Sequence, residues 1–270
     1  MQRNILLGLV LFCIPAVLVP LIVLSAGGQG PGPAPARVVE YRAPQQPAAW
    51  AAYNDCVHDP NNPLHYITRN VTTFATGQGH LYHSQGTLRD YASGRSLPVI
   101  VTLTSSPDVR WEADTANGWG GRDCAPGTDA WNTFGGIADM HGSIVYGSRG
   151  WYVDITFTGL NPDARYEFAA SANRGNEAFT NRRSIFSIIG ADSFANASTP
   201  GVDLLPDGAV SFCTGNNTSA GYVARWTDIR TSSGRVIFRA THTPDSDYGC
   251  RAYAFHVFVL RELAPDEDAG

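Results

Sequence analysis

The stretch from residue 151 to residue 171 constrains the fold more than any other part of the chain. Between residues 151 and 158 the side chains alternate strictly, with apolar groups at Trp151, Val153, Ile155 and Phe157. A period of two is typical of a strand with one buried face. The turn-forming residues 159–163 follow, and a second alternating run then places one apolar face at Tyr166, Phe168 and Ala170. Two strands joined by a compact corner predict an antiparallel β-sandwich.

Strand-like runs recur along the rest of the chain between residues typical of turns. They lie at residues 71–75, 79–83, 97–104, 144–146, 184–189, 210–214, 222–227, 235–241 and 253–260. The last run is apolar on both sides except at His256, which is typical of a strand covered on both faces. The sequence therefore predicts an all-β chain, with about ten strands in a single antiparallel β-sandwich over residues 51–263.

Four stretches outside these runs have weaker patterns. We predict a helical turn at residues 47–53, a loop at 53–63, a long loop rich in Gly, Asp and Trp at 111–134, and an acidic tail at 264–270.

The first 28 residues form a targeting segment. Arg3 precedes an apolar run over residues 5–24, and small residues follow it, which is typical of a signal peptide. The run is also long enough to span a bilayer, so cleavage and retention as an N-terminal membrane anchor both remain open. A linker rich in Pro and Gly follows at residues 29–50. Either outcome predicts a secreted or extracellular domain that contacts a membrane only through residues 5–24.

Four cysteines lie beyond the targeting segment. An even number in an exported domain predicts two disulfides. Pairing in sequence order, Cys56 with Cys124 and Cys213 with Cys250, closes the shorter loops and is favoured over the other two connectivities. A metal site is the alternative, but no Cys-x-x-Cys spacing supports it.

Composition excludes several chemistries. The chain has no lysine, so all 19 of its basic residues are arginine, which rules out a Schiff-base lysine, a phosphate-loop lysine and a Ser-Lys dyad. A net charge of −5 without an Arg-rich block disfavours nucleic-acid binding. No Gly-x-Ser-x-Gly or His-Glu-x-x-His motif is present. These absences favour a protein that is not an enzyme, although a carboxylate pair such as Glu112 and Asp129 is the kind a glycosidase uses.

Two segments resemble known β-sandwich modules. The pattern Gly159-Leu160-x-Pro162-x-x-x-Tyr166-x-Phe168 resembles the corner between strands E and F of fibronectin type III modules, where the tyrosine hydroxyl bonds back to the chain. The runs GYVARWTDI, RVIFRATH and YAFHVFVL, with a Ser233-Gly234 turn, are similar to the closing strands of galactose-binding-type jelly rolls. This resemblance implies a jelly roll of the kind found in secreted bacterial carbohydrate-binding proteins, with an immunoglobulin- or fibronectin-like sandwich as the alternative.

The first candidate ligand-binding surface is the loop at residues 111–134. It carries Trp119 and Trp131 with Asp123, Asp129 and Arg122 near them in sequence. Sugars stack on indole rings while carboxylates bind their hydroxyls. The alternative is that either tryptophan is a plug over the hydrophobic core.

The second candidate surface is the loop at residues 171–183. Asn173, Arg174 and Asn176 directly follow a predicted strand. Arginine and asparagine can bind vicinal hydroxyls or a carboxylate through paired hydrogen bonds. The alternative is a solvated loop whose arginine pairs with a nearby acid.

These surfaces predict a non-catalytic carbohydrate-binding module whose partner is a polysaccharide or glycan. A structural or adhesive cell-surface protein that binds another protein is the first alternative, and a glycan hydrolase with paired carboxylates is the second. No cofactor and no metal site is predicted. His80-x-x-His83 is a weak metal signal, and the acidic loops at 114–118 and 245–249 leave structural calcium open without supporting it.

Overall fold

The fold is almost entirely β-structure. The computed structural model describes residues 48–58, 66–76, 83–113, 121–138, 140–141, 143–147, 149–244 and 252–265. These residues form fifteen strands, one short α-helix and one 3₁₀ turn at Pro206–Gly208. The predicted targeting segment, almost all of the linker and most of the acidic tail lie outside the described residues. No helix within the described ranges is long and apolar enough to cross a membrane.

Two large sheets pack face to face, as the alternation predicted. The six-stranded sheet has the order β10 (Ser193–Asn196), β13 (Ala224–Arg230), β8 (Arg165–Ser171), β15 (Val257–Leu263), β1 (Ala48–His58), β2 (Thr72–Thr76). The seven-stranded sheet has the order β11 (Asp203–Leu204), β12 (Val210–Cys213), β9 (Arg183–Ile189), β14 (Arg235–His242), β7 (Tyr152–Thr158), β4 (Ser96–Ser105), β3 (His83–Arg89). A separate ribbon pairs β5 (Arg110–Ala113) with β6 (Ser143–Tyr146). In the two large sheets, the pairs are antiparallel except for β1 with β2.

The strand order is that of a jelly roll. From β7 onwards the chain repeatedly crosses between the sheets, and the central strands β1-β15-β8-β13 face β7-β14-β9-β12. Two interleaved Greek keys produce this arrangement, whereas the immunoglobulin-type order differs. All-β sandwich architecture is therefore confirmed, and β7 and β8 form a corner between the two sheets.

The main core lies between the sheets. The inward residues predicted for β7 and β8 all belong to it, and the rings of Phe168 and Phe238 stack with their centroids 3.6 Å apart. At the corner, the Tyr166 hydroxyl accepts the Asn161 N–H at 2.7 Å and contacts the Glu262 carboxylate at 3.1 Å. Burial raises the pKa of Tyr166. Tyr166 therefore makes the bond back to the chain that the fibronectin-like pattern implied.

A second apolar layer covers the outer face of the six-stranded sheet. The segment at residues 121–141, with helix α1 (Asp129–Phe134), packs Ala130, Phe134 and Met140 against residues of β1, β8 and β15. Strand β15 is consequently buried on both faces, as predicted, although it begins at Val257, four residues later than predicted.

Three local predictions differ from the structure. Residues 48–53 belong to β1 and form no helical turn, and the predicted loop after residue 53 is strand up to His58, because β1 lies between β15 and β2. Alanine favours helix locally, but strand pairing and burial override that preference. The predicted loop at 111–134 contains the end of β5 and all of α1. The Thr128 hydroxyl caps this helix by accepting the Trp131 N–H at 3.3 Å.

The predicted Cys56–Cys124 disulfide is also wrong, because both residues are free thiols. Cys213 is a free thiol as well, and its predicted partner Cys250 lies outside the described residues. Cys56 lies in the core between the sheets, whereas Cys124 lies in the layer on the outer face of the six-stranded sheet. The sheet itself therefore separates them. Burial raises the pKa of both thiols, which makes them unreactive.

Candidate functional site

Four segments meet beside one end of the sandwich and enclose an open polar groove of about 380 Å³. One segment precedes α1, a second follows α1 and carries His141, a third follows β8, and the fourth follows β12. The groove is lined by Arg122, Asp123, His141, Gly175, Glu177, Asn216, Thr218 and Ser219. Both loops that the sequence analysis selected contribute to it, since one supplies Arg122 and Asp123 and the other supplies Gly175 and Glu177.

Asn173 joins three of these segments, namely those before α1, after β8 and after β12. Its side chain is fully buried, and its amide nitrogen donates to the Arg122 carbonyl at 3.0 Å and to the Thr218 hydroxyl at 3.1 Å. Its amide oxygen accepts the N–H groups of Gly175 at 2.9 Å and Asn217 at 2.8 Å. Asn173 was predicted as a ligand contact, but the structure places it beneath the groove, where it holds the walls in position.

Asn217 has a similar role that the sequence analysis missed. It is fully buried, and its side chain bonds to both the N–H and the carbonyl of Tyr222, at 2.8 and 3.0 Å. The close approach of the loops also requires glycine at residue 175. Gly175 has a φ of +63°, and a Cβ there would lie 2.4 Å from the Arg122 side chain.

Asp123 and His141 form a pair in the groove wall. Oδ2 of Asp123 lies 3.2 Å from Nδ1 of His141, and Oδ1 accepts the Met140 N–H at 3.0 Å. The Tyr66 hydroxyl lies 3.5 Å from the same carboxylate. Asp123 was predicted, whereas His141 was missed because it stands 18 residues away with no recognisable motif around it.

Arg174 is buried and is not among the residues that line the groove. Burial lowers the pKa of its guanidinium, the neighbouring Tyr253 opposes this shift, and the positive charges of Arg122 and Arg182 add to it. Arg182 donates to the Tyr253 hydroxyl at 2.5 Å. Arg174, Arg182 and Tyr253 therefore form a buried polar cluster.

Two further predicted ligand residues, Asp129 and Trp131, are not among those lining the groove. Asp129 is buried and forms an ion pair with Arg225 at 2.9 Å, so its carboxylate stabilises the fold. Trp131 is half-buried on α1, with its ring over Gly135. Trp119 lies outside the described residues.

The predicted metal signals receive little structural context. His83 is exposed on β3, whereas His80 and the acidic loops at 114–118 and 245–249 lie outside the described residues. Across the part of the chain that is described, no three His, Cys, Asp or Glu side chains are grouped closely enough to hold a metal ion.

Comparison with known proteins adds no relative. No protein-family model, no curated protein and no solved structure matches the chain.

Proposed function

We propose that this protein is a carbohydrate-binding β-sandwich module that binds a polysaccharide or glycan in the groove. The observation that carries this proposal is the mixture of groups along the groove: one guanidinium, two carboxylates, an imidazole, an amide and two hydroxyls. A sugar presents hydroxyls that both donate and accept, so it requires such a mixture at fixed positions.

Rigidity of the groove walls supports this proposal. Asn173 and Asn217 fix the wall backbone from below through hydrogen bonds that are buried and saturate both amides. A site that is ordered before binding avoids much of the entropy loss of ordering loops around a ligand. The smaller entropy loss matters most for weakly bound ligands such as sugars.

The charge of the groove favours a polyhydroxylated ligand over a polyanion. Arg122 is accompanied by Asp123 and Glu177, so positive charge does not dominate the lining. A phosphate-rich partner would require an excess of arginine.

Trp119 is separated from Arg122 by only Gly120 and Gly121, and we propose its indole as the stacking surface for a sugar ring.

The protein-binding alternative is favoured less. Three of the exposed large apolar side chains, Ile100, Tyr152 and Ile189, lie on the outer face of the seven-stranded sheet. Strand register places Thr158 beside Ile100 and Thr241 beside Tyr152, so polar groups intervene between them. The hydrolase alternative needs a pair of available carboxylates. Asp129, one member of the predicted pair, is instead buried in an ion pair with Arg225.

Replacing Arg122 by alanine is expected to weaken glycan binding by about tenfold or more, since one charge-assisted hydrogen bond contributes roughly 1.5–3 kcal/mol. A glycan array and pull-down on insoluble polysaccharides would identify the ligand, and titration would give its affinity. Arg235→Ala is the matched control because Arg235 is an exposed arginine on β14, outside the residues that line the groove.

The two tryptophans form a second matched pair in the same assay. Trp119→Ala should lose binding, and Trp131→Ala should retain it because Trp131 is absent from the groove lining. Thermal unfolding of each variant separates lost binding from lost structure. Blank arrays and pull-downs with the wild-type protein would disprove the proposal.

We also propose that the domain is secreted or displayed outside the cell, with residues 5–24 as signal peptide or anchor. Mass spectrometry of the protein recovered from its native host should show either a new N-terminus after residue 26 or a full-length, membrane-bound chain. Full-length protein in the soluble cytoplasmic fraction would contradict export.

A further inference from the structure

The pair of Asp123 and His141 has the geometry of a base and the group that orients it. The carboxylate is held from one side by the Met140 N–H and contacts Nδ1 of His141 from the other. An ionised carboxylate can only accept a hydrogen bond, so Nδ1 must carry the proton. In neutral His141, Nε2 therefore carries the lone pair that accepts protons in general-base catalysis.

The pair lies in the wall of the groove proposed to bind glycans. The side chains of His141 and Asp123 are 30% and 18% exposed, so the pair is accessible without being fully solvated. Arg122, Thr218 and Ser219 line the same groove. A ligand bound in the groove would therefore lie near a base, a cation and hydroxyl groups.

We propose that His141, oriented by Asp123, is a general base that hydrolyses ester groups carried by a glycan bound in the groove. This proposal rests on the proposed glycan binding and goes beyond it, since the sequence predicted a non-catalytic module. Glycosidic bonds are a poorer fit, because their cleavage uses a carboxylic acid facing a second carboxylate. Asp123 is instead engaged by His141 and Met140.

The reaction requires only water as the second reactant. Water adds to the carbonyl carbon of the ester while Nε2 of His141 accepts one of its protons. The tetrahedral intermediate carries negative charge on oxygen, and the Arg122 guanidinium stabilises it. Cleavage of the bond between the acyl carbon and the sugar oxygen follows, and that oxygen takes the proton from His141. The products are a carboxylic acid and a free sugar hydroxyl.

Hydrolysis of p-nitrophenyl acetate and release of acetate from O-acetylated xylan would test the proposal. His141→Ala should lower both rates by about 100-fold or more, the usual contribution of a general base. Asp123→Asn should also lower both rates. An amide can donate as well as accept a hydrogen bond, so it no longer forces Nδ1 of His141 to carry the proton. The wild-type rate should rise with pH as an imidazole loses its proton, and this rise should vanish in His141→Ala. Among the described residues, the other titratable groups near the pair are Tyr66, Arg122, Cys124 and Glu177.

His83→Ala is the matched control, since exposed histidines hydrolyse activated esters unspecifically and His83 lies exposed on β3. It should leave both rates unchanged. Equal rates in the wild type and His141→Ala, or an equal loss in His83→Ala, would overturn the proposal. If glycan binding persists without ester hydrolysis, only this proposal fails; if glycan binding itself is absent, the proposed function fails as well.

Discussion

Replacing Asp129 by alanine is expected to lower the free energy of unfolding by about 3–5 kcal/mol, because it leaves Arg225 buried without its counter-charge. Both side chains of the pair are almost fully buried between α1 and β13, with N–O contact at 2.9 Å. Asp129 also accepts from Thr133 and from Thr199, at 3.2 and 2.6 Å. Chemical denaturation followed by circular dichroism would measure the change.

The matched control is Asp203→Ala. Asp203 pairs with Arg183 at the surface, and its side chain is 61% exposed, so its loss should cost about 1 kcal/mol or less. If Asp129→Ala lowered the free energy of unfolding as little as Asp203→Ala does, the ion pair of Asp129 with Arg225 would not stabilise the packing of α1 on the sheet. A large effect would support a structural role for the carboxylate that the sequence placed among the ligand contacts.

Acidification is expected to destabilise the fold through His256. Burial, and secondarily the positive charge of Arg174, lower the pKa of this histidine to about 3. In the unfolded chain an imidazole titrates near its ordinary value of 6.5. Between these values the unfolded chain binds a proton that the folded protein excludes. Stability contributed by neutral His256 is therefore complete above about pH 6.5 and decreases towards pH 3, by roughly 1.4 kcal/mol per pH unit.

His256→Asn would isolate this contribution from that of the carboxylates. Nδ1 of His256 accepts the Asn173 N–H at 3.3 Å, and the amide oxygen of asparagine can replace that acceptor. Unfolding free energies measured from pH 7 to pH 4 should fall less steeply in the variant, by roughly 3 kcal/mol over the interval. Parallel pH profiles would show that His256 becomes protonated without unfolding the protein.

Local patterning was sufficient to predict the sandwich and the corner. The alternation at residues 151–171 identifies one buried face per strand because the side-chain period of a strand is a local property. The turn after Thr158 and the buried Tyr166 could be predicted for the same reason. The alanine-rich segment of β1 could not, because its neighbours β15 and β2 are distant in sequence.

The candidate groove was only partly predictable. The polar loops predicted both Asp123 and Asn173 as ligand contacts. No sequence signal distinguishes the Asp123 carboxylate, which lines the groove, from the buried amide of Asn173. Asp129 resembles Asp123 in sequence, yet a partner 96 residues away makes it structural. The predicted Cys56–Cys124 disulfide is wrong because sequence spacing does not show that a sheet separates these two cysteines.

The sequence by itself determined the class of fold, the inward faces of β7 and β8, the burial of β15 on both faces, and the absence of lysine chemistry. These features depend on local periodicity and composition. The tertiary structure alone decided which loops meet, which polar side chains are exposed, and that His141 stands beside Asp123. Such juxtapositions depend on contacts between residues far apart in the chain, and loop spacing carries no information about them.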